Sequence, residues 1–524
     1  MNPSRIEIDR LAGVCLVLIL ALAFTMPVVR WDALMLWHDQ QRIAQLGIVA
    51  IVVVFAVLSL PARPQLPGVT PGLRWAFTVL VLLGIASAAM ARMPSWAFTE
   101  LALMIACVGI GWMVAVARVQ LRERFDRMVL FTLFAVCVAI TARALFRYIL
   151  ALQAPTPQID PWALLTGFSN LRFLGQFASL SLPLLAVPLL VRGLPSGLRV
   201  AVAVVLVLWW TVAISSGTRG TWLGMAAAVA VLTLAGAGGR RWVAVHLPAV
   251  ALALLLYMLW MHWIPDWLAV ETARTADTRL TTSLSLREEL WLRAIELIRD
   301  NPLLGVGPMH GADYLNRGPT QVIAHPHQSW LQWASEWGLP SALLVTGLVL
   351  HGLWAVFRAL RRRGAPVDLS SALPIGLFGA LLAALTQAMV DGVLVMPYSQ
   401  LWLAVVGGWL FALHGLANVS FTEGLSKRGP DFGRRQGWQV GAQSAWVVVL
   451  CMSAAMLGHV VTRDVPRMDP RKQSYHRPYG QLPSPRFWAQ GIIGVPRASA
   501  RAQAAAPGGQ SPAQPQVAAA ASRS

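Results

Sequence analysis

The sequence predicts an all-α, polytopic integral membrane protein of about 12–13 transmembrane helices, with one large helical loop on its outer face. Three observations carry that expectation. The 524 residues are 56% hydrophobic and only 12% charged, more apolar sequence than a water-soluble core absorbs. The apolar residues fall in runs of about 18 or more, the length a bilayer requires. Lys and Arg are concentrated in alternate loops, as cytoplasmic loops require.

The runs lie near 11–29, 43–60, 75–91, 98–117, 128–151, 172–191, 199–215, 221–237, 242–263, 340–357, 372–390, 398–416 and 443–461. The first is not a cleaved leader, because Pro27, Val28, Val29 and Arg30 offer no small-residue cleavage pattern. Cys15, Cys107, Cys137 and Cys451 all fall inside these runs, without metal-ligand spacing, and read as packing residues. With the N-terminus inside, the inner loops carry Arg118, Arg122, Arg124 and Arg127, then Arg240 and Arg241, then Arg358, Arg361, Arg362 and Arg363. The net charge of +19 is therefore topological, and nucleic acid is not an expected partner.

This topology gives the outer face four notable stretches. They are the loop 152–171 leading into "RFLGQF", the turn "SSGTRGTW" at 215–222, the long segment 264–338, and "DGVLVMPYSQ" at 391–400. Long loops in compact proteins are usually functional. Within the third, "SLREELWLRAIELIRDNP" reads as a helix, capped by Ser285 with Glu288 completing the capping box and stopped at Asn301-Pro302. Leu286, Leu290, Ala294 and Leu297 form its apolar stripe, with Arg287 beside it. Farther on, "AHPHQSWLQWASEWGLP" reads as a helix with Pro326 in its first turn, His325 as cap and His327 in that turn. The helix dipole there favours a neutral imidazole that can accept a proton. Trp330, Trp333 and Trp337 fall on one side of this helix, as interfacial anchors or as a wall against sugar rings.

The candidate chemistry follows from residue type. His327 is either a general base or an interfacial histidine bonded to a carbonyl. Arg219, Arg172 and Arg287 are either phosphate ligands, since a guanidinium grips phosphate oxygens in pairs, or headgroup and salt-bridge charges. Asp391 pairs with an arginine or caps a turn, and Tyr398 donates to a phosphate or sugar oxygen. A metal at His325 and His327 is disfavoured, because their spacing across a proline is poor and no HExxH accompanies them. No Walker loop or GxGxxG appears, and the spans hold almost no ionisable group near mid-membrane, which disfavours an ion-coupled pump.

The stretch "RxxLWxxAIELIxxNPLLGVGP" from Arg287 to Pro308, followed by "HPHQSWLQWASEWGLP", resembles the O-antigen ligase and polymerase superfamily of bacterial inner-membrane glycosyltransferases. The ligase pattern is His, then Asn, Ser or Gln, nine residues, Gly, two more, and Gly, Thr or Tyr. His327, Gln328 and Gly338 match it, and Ser341 departs at the last position. "SSGTRGTWLG" is similar to the family's "SGSRG" turn and maps onto Arg219. "NLRFLGQF" is similar to an upstream segment and covers Asn170, Arg172 and Gln176. The resemblance spans roughly 160–415 and implies a transferase without metal or cofactor. Its donor would be an undecaprenyl-diphosphate-linked glycan at the periplasmic face, and its acceptor lipid A–core, a glycan chain or a protein hydroxyl. His327 would be the base, with Arg219 and Arg287 also catalytic. Arg172, Gln176, His325, Gln328, Tyr398 and Asp391 would bind donor or acceptor. The expected organisation is a polytopic domain over 1–461, containing the loop 264–338, and a basic Pro/Ala-rich disordered tail over 462–524. The rival readings are a flippase or transporter of lipid-linked sugar and a non-catalytic scaffold.

Overall fold

The computed structural model describes residues 3–32, 35–62, 66–281, 287–315, 323–423, 432–468, 485–491 and 493. The protein is all-α, with helices α1 (Pro3–Val28), α2 (Trp37–Leu58), α3 (Pro71–Met90), α4 (Pro94–Leu121), α5 (Glu123–Leu152), α6 (Leu171–Leu185), α7 (Ser196–Ser215), α8 (Arg219–Leu234), α9 (Ala237–Met258), α10 (Arg287–Asp300), α11 (Ser329–Trp337), α12 (Leu339–Arg361), α13 (Leu369–Ala388), α14 (Pro397–Glu423) and α15 (Phe432–Asp464). Among the described residues, 12 helices are long and apolar enough to cross a membrane. They are α1 to α7, α9 and α12 to α15, so the chain is a multi-pass membrane protein.

The run expected at 221–237 forms α8, which has only 16 residues and a length of about 24 Å. It starts two residues earlier than the run, directly after the turn, and stops three residues short of its end, before Gly236 at φ 98°. It lies antiparallel along α13, with Gly220 against Gln387 and Gly224 against Ala383. A Cβ on Gly224 would stand 2.3 Å from the Ala383 carbonyl oxygen, an approach only glycine permits, as small residues do wherever membrane helices pack closely. Gly224→Val should therefore lower thermal stability by about 1–3 kcal/mol through overpacking. Detergent-solubilised thermal unfolding checks this, and an unchanged midpoint would count against the contact.

α2 begins six residues before the apolar run that marks it. Its first turns carry His38, Asp39, Gln40, Gln41, Arg42 and Gln45, all buried. Such groups survive burial only when bonded. Gln41 Nε2 donates to the Gly167 carbonyl at 2.9 Å, and the His38 backbone N–H donates to Ser169 Oγ at 2.9 Å.

Successive spans alternate in direction, and the short α8 also returns the chain between α7 and α9, so the loops after α1, α3, α5, α7, α9 and α13 share one end of the bundle. Side chains tie these loops together. Ser87 Oγ donates to the Leu304 carbonyl at 2.6 Å, Arg92 pairs with Asp313 at 2.9 Å, and Tyr148 OH donates to the Trp260 carbonyl at 2.7 Å. Gln158–Ile159 pairs in parallel with Glu271–Thr272, joining the loop before α6 to the one after α9.

α10 and α11 lie in the long segment between α9 and α12. Leu290 and Ala294 of the expected stripe are buried, and Leu331 and Leu315 close over Ala294. Ser285 and Leu286 lie outside the described residues. The three tryptophans of α11 do not share a side. Trp330 packs toward α10, whereas Trp333 and Trp337 stack on each other at 4.9 Å and join the packing of α2, α4 and α15. Trp337 is 3% exposed, so it anchors α11 to the spans and offers no wall to a sugar. The tail also departs from expectation. Residues 485–491 pack against the same end of the bundle, with Arg486, Phe487 and Trp488 buried.

Candidate active site

Four elements bring polar side chains to this end. At α6, Asn170 caps the helix by accepting from the Arg172 backbone N–H at 3.0 Å, which places Arg172 in the first turn. Gln176, one turn on, is fully buried and accepts from Ser399 Oγ at 2.8 Å. The second element is the turn 215–221. Gly217 adopts φ 61°, Thr218 Oγ1 donates to the Leu171 carbonyl at 3.2 Å, and Thr221 Oγ1 donates to the Gly175 carbonyl at 2.8 Å. A Cβ on Gly175 would come within 2.5 Å of Thr218. This contact presses the start of α8, with the exposed Arg219, against the start of α6.

The third element is α10, whose first residue is the half-buried Arg287. Trp291 Nε1 of α10 donates to the Pro326 carbonyl at 3.1 Å, which ties Arg287's helix to the histidine loop. That loop, 323–328, is the fourth element. The helix that follows it starts at Ser329, with Gln328 as the cap through a bond from the Leu331 N–H. The expected start at His325-Pro326 is thus displaced. A cap needs an acceptor side chain on extended backbone, and Gln328 has both, with φ −152° and ψ 110°. Gln328 is thus the cap of this helix.

His327 precedes the cap and takes φ 54°, a left-handed conformation that costs a non-glycine residue about 1–3 kcal/mol. Its backbone N–H donates to His325 Nδ1 at 3.2 Å, and the two rings meet edge to face at 4.2 Å. Burial first, and then the charges of His327, Arg486 and Arg172, push His325 well below the usual histidine range. A neutral His325 keeps the Nδ1 lone pair that this bond requires. His325 therefore shapes the loop. Gly392 closes over its ring, where a Cβ would stand 2.5 Å from Cε1.

Asp391 lies beneath His327, with Oδ1 3.9 Å from Nδ1. That distance is beyond hydrogen-bond length. Oδ1 also accepts from the Gly392 N–H at 2.8 Å, and Oδ2 faces Gln387 Nε2 at 3.4 Å. Burial works to raise this carboxyl, but His327, Gln176 and the Gly392 N–H outweigh it and hold Asp391 below its ordinary value. Asp391 is thus the histidine's partner, not an arginine's ion pair. Arg287 is lowered by burial first, then by the charges of Arg172 and Arg219, while Asp391 acts in the opposite sense. Arg172, Arg219 and Asp391 therefore all lie near enough to Arg287 to act on its charge, Asp391 stands beside His327, and positive charge is in surplus. Like charges held together in this way favour an anion among them.

Tyr398 does not join this group. It is 1% exposed, and its hydroxyl donates to the Ala23 carbonyl at 3.1 Å within the bundle. Among the described residues no three His, Cys, Asp or Glu come together to hold a metal ion.

Glu336 and Gln387 were not singled out in the sequence. Glu336 is fully buried on α11 and accepts from the Gly311 N–H at 2.9 Å and the Met309 N–H at 3.2 Å. It pins the glycine-rich turn 305–311 to α11. Its signal was present as the lone acid in "WLQWASEWGLP". Gln387, also buried, accepts from Ser179 Oγ at 2.5 Å and lies beside Asp391. Nothing in an alanine-rich span marks it.

A multi-pass helical protein with arginines, a histidine and an aspartate gathered at one end of its bundle is suited to anionic substrates carried by lipid. The family model described as O-antigen ligase matches residues 202–346, so this part of the chain is similar to that family, whose members carry out glycosyl transfer of the ligase and polymerase type. The match includes Arg219, Arg287, His325, His327 and Gln328. It is shorter than the roughly 160–415 expected, and Arg172, Gln176, Asp391 and Tyr398 lie beyond it. Lipid-linked glycan donors and their acceptors are the substrates this family implies. No curated protein matches the chain significantly.

Proposed function

We propose that the protein transfers a glycan from undecaprenyl diphosphate to an acceptor hydroxyl at the periplasmic face of the bacterial inner membrane, as an O-antigen ligase does, with lipid A–core as acceptor. The observation that carries this reading is the gathering of Arg172, Arg219 and Arg287 beside the His327–Asp391 pair. A lipid diphosphate brings its charge to headgroup depth at the end of the spans, where these guanidiniums stand. His327 takes the proton from the acceptor hydroxyl, whose oxygen forms a bond to the anomeric carbon. The bond from that carbon to the diphosphate oxygen breaks, and undecaprenyl diphosphate leaves with the electron pair. The arginines stabilise the charge that develops on it. Asp391 orients the ring and stabilises the imidazolium, and its contact with Nδ1 leaves Nε2 for the hydroxyl.

The same geometry serves a polysaccharide chain or a protein hydroxyl as acceptor. Comparing a knockout with its parent for lipopolysaccharide length, capsule and glycoprotein mobility separates the three acceptors, and loss of surface glycan ladders is expected. Arg219→Lys and Arg287→Lys each keep the charge but lose the planar fork that grips two phosphate oxygens. We expect each to lower kcat/KM by about tenfold to a hundredfold, which is within the range for losing a charge-stabilising donor. Wild-type rates in both variants would remove the arginines from the reaction.

A further inference from the structure

Beyond the last span the chain returns to the bundle. Residues 485–491 are held mainly through their backbone, by the buried polar start of α2. Arg42 Nε and His38 Nε2 donate to the Phe487 carbonyl at 3.0 and 3.2 Å, and Arg42 Nη2 donates to the Arg486 carbonyl at 3.2 Å. Asp39 Oδ1 accepts from the Ala489 N–H at 2.7 Å. Trp488 Nε1 donates to Asp464 Oδ2 at 2.9 Å, and the Phe487 ring lies under the Arg42 guanidinium at 5.2 Å. Polar groups so deeply buried within a span are costly unless bonded, and the strap supplies part of what Arg42 needs beside Gln45, Gln400 and the Val395 carbonyl.

The one side chain that reaches onward is Arg486, 1% exposed. Its Nη1 donates to the Ala324 carbonyl at 3.1 Å, next to His325. Its Nη2 pairs with Glu336 of α11 and lies 3.4 Å from Glu100 of α4. Gln332 of α11, with its amide oxygen turned toward the guanidinium, accepts from both Nη1 and Nη2 at 3.0 Å. Arg486 thus bonds the strand that carries the two histidines and the helix that follows it, and ties both to a span. It touches neither His327 nor the arginine group.

We propose that residues 485–491 are a strap that completes the transfer site, and that Arg486 is a positioning residue fixing the 324–327 loop against α11. The inference rests on the glycan-transfer reading above. It assigns a role to chain beyond the last span, which composition alone reads as a tail.

The test uses the full-length protein in nanodiscs, with an undecaprenyl-diphosphate-linked glycan and its acceptor. Arg486→Gln should lower kcat by about tenfold to a hundredfold, the cost of a small misplacement of a reacting group, with KM for the donor within about twofold. Arg486→Lys should fall between, because it keeps the charge and loses the carbonyl bond. If Arg486→Gln does not fold, Glu336→Gln with Arg486→Gln removes both charges of the buried pair and should restore folding while kcat stays low. Either folded variant turning over at the wild-type rate overturns the proposal. A second readout is a short bis-thiol cross-link between Asp39→Cys and Ala489→Cys. It should form in membranes and leave turnover at least at the level of the unlinked double variant, because the strap works in place. Turnover that stops on cross-linking and returns on cleavage of the link would make the segment a gate instead, which also overturns the proposal. If the cross-link forms but the wild-type protein transfers no glycan, the transfer reading fails while the docking of the strap stands.

Discussion

Replacing His327 by alanine is expected to lower kcat for glycan transfer by about 10²- to 10⁴-fold, the usual contribution of a positioned general base. Binding of the lipid-linked donor should persist, because the arginine group lies on α6, α8 and α10 and does not depend on the imidazole. Folding should persist as well. The His327 ring is 28% exposed and its Nδ1 lies 3.9 Å from Asp391, so little packing is lost with it. A sharper form of the experiment uses His327→Gly. The φ of 54° suits glycine and strains histidine, so this variant should be as stable as the wild type, or more stable by up to about 1 kcal/mol. It should be equally inactive. Stability gained with activity lost identifies a strained residue kept for chemistry. A variant that is destabilised but active would instead show that His327 holds the loop together. Thermal unfolding and single-turnover transfer on the same preparation separate these outcomes.

The second large effect is expected at Glu336. Alanine there leaves Arg486 buried with Glu100 at 3.4 Å as its remaining carboxylate, and strips acceptors from the Met309 and Gly311 N–H groups. Breaking a buried pair from one side costs about 3–5 kcal/mol. Glu336→Ala should therefore lower thermal stability severely, and Glu336→Gln, which can still accept a bond, much less. Removing Arg486 as well should recover part of the loss, since the two residues interact directly and their effects do not add. If Glu336→Ala unfolds at the wild-type midpoint, the ion pair does not hold this end of the protein together.

The spans were legible because a bilayer imposes one length and one polarity on every crossing, and hydropathy reads both. Hydropathy counts α8 among the spans because its run is as apolar as its neighbours, and only the structure shows the turn ending at Thr218 and the positive φ of Gly236 that bound it. The start of α2 was missed for the opposite reason. Five polar residues ahead of the apolar run look like loop, yet each is buried, and most of their partners lie far along the chain. The histidine loop was found by its residue types, but the helix was started too early, at a proline. The residue that sets the start is Gln328, whose capping bond is a three-dimensional fact. Tyr398 was chosen for its place in a short loop, and the fold draws it into the bundle. The tail segment shows the widest gap. "RFWAQG" is a short aromatic patch beyond the last span, and most of its binding site is built from residues remote in sequence, His38, Asp39 and Arg42 of α2 and Glu336 of α11, with only Asp464 of α15 nearby.

The central claim is that the residues at one end of this bundle form a single transfer site for a lipid-linked glycan. The most direct measurement supplies the purified protein with undecaprenyl-diphosphate-linked glycan and lipid A–core, and follows the glycan and the released lipid together. The account expects one undecaprenyl diphosphate for each glycosylated acceptor with the wild-type protein, and bound donor without product for His327→Ala. Donor carried across the membrane with no new glycosidic bond, or product formed equally by His327→Ala, would contradict it.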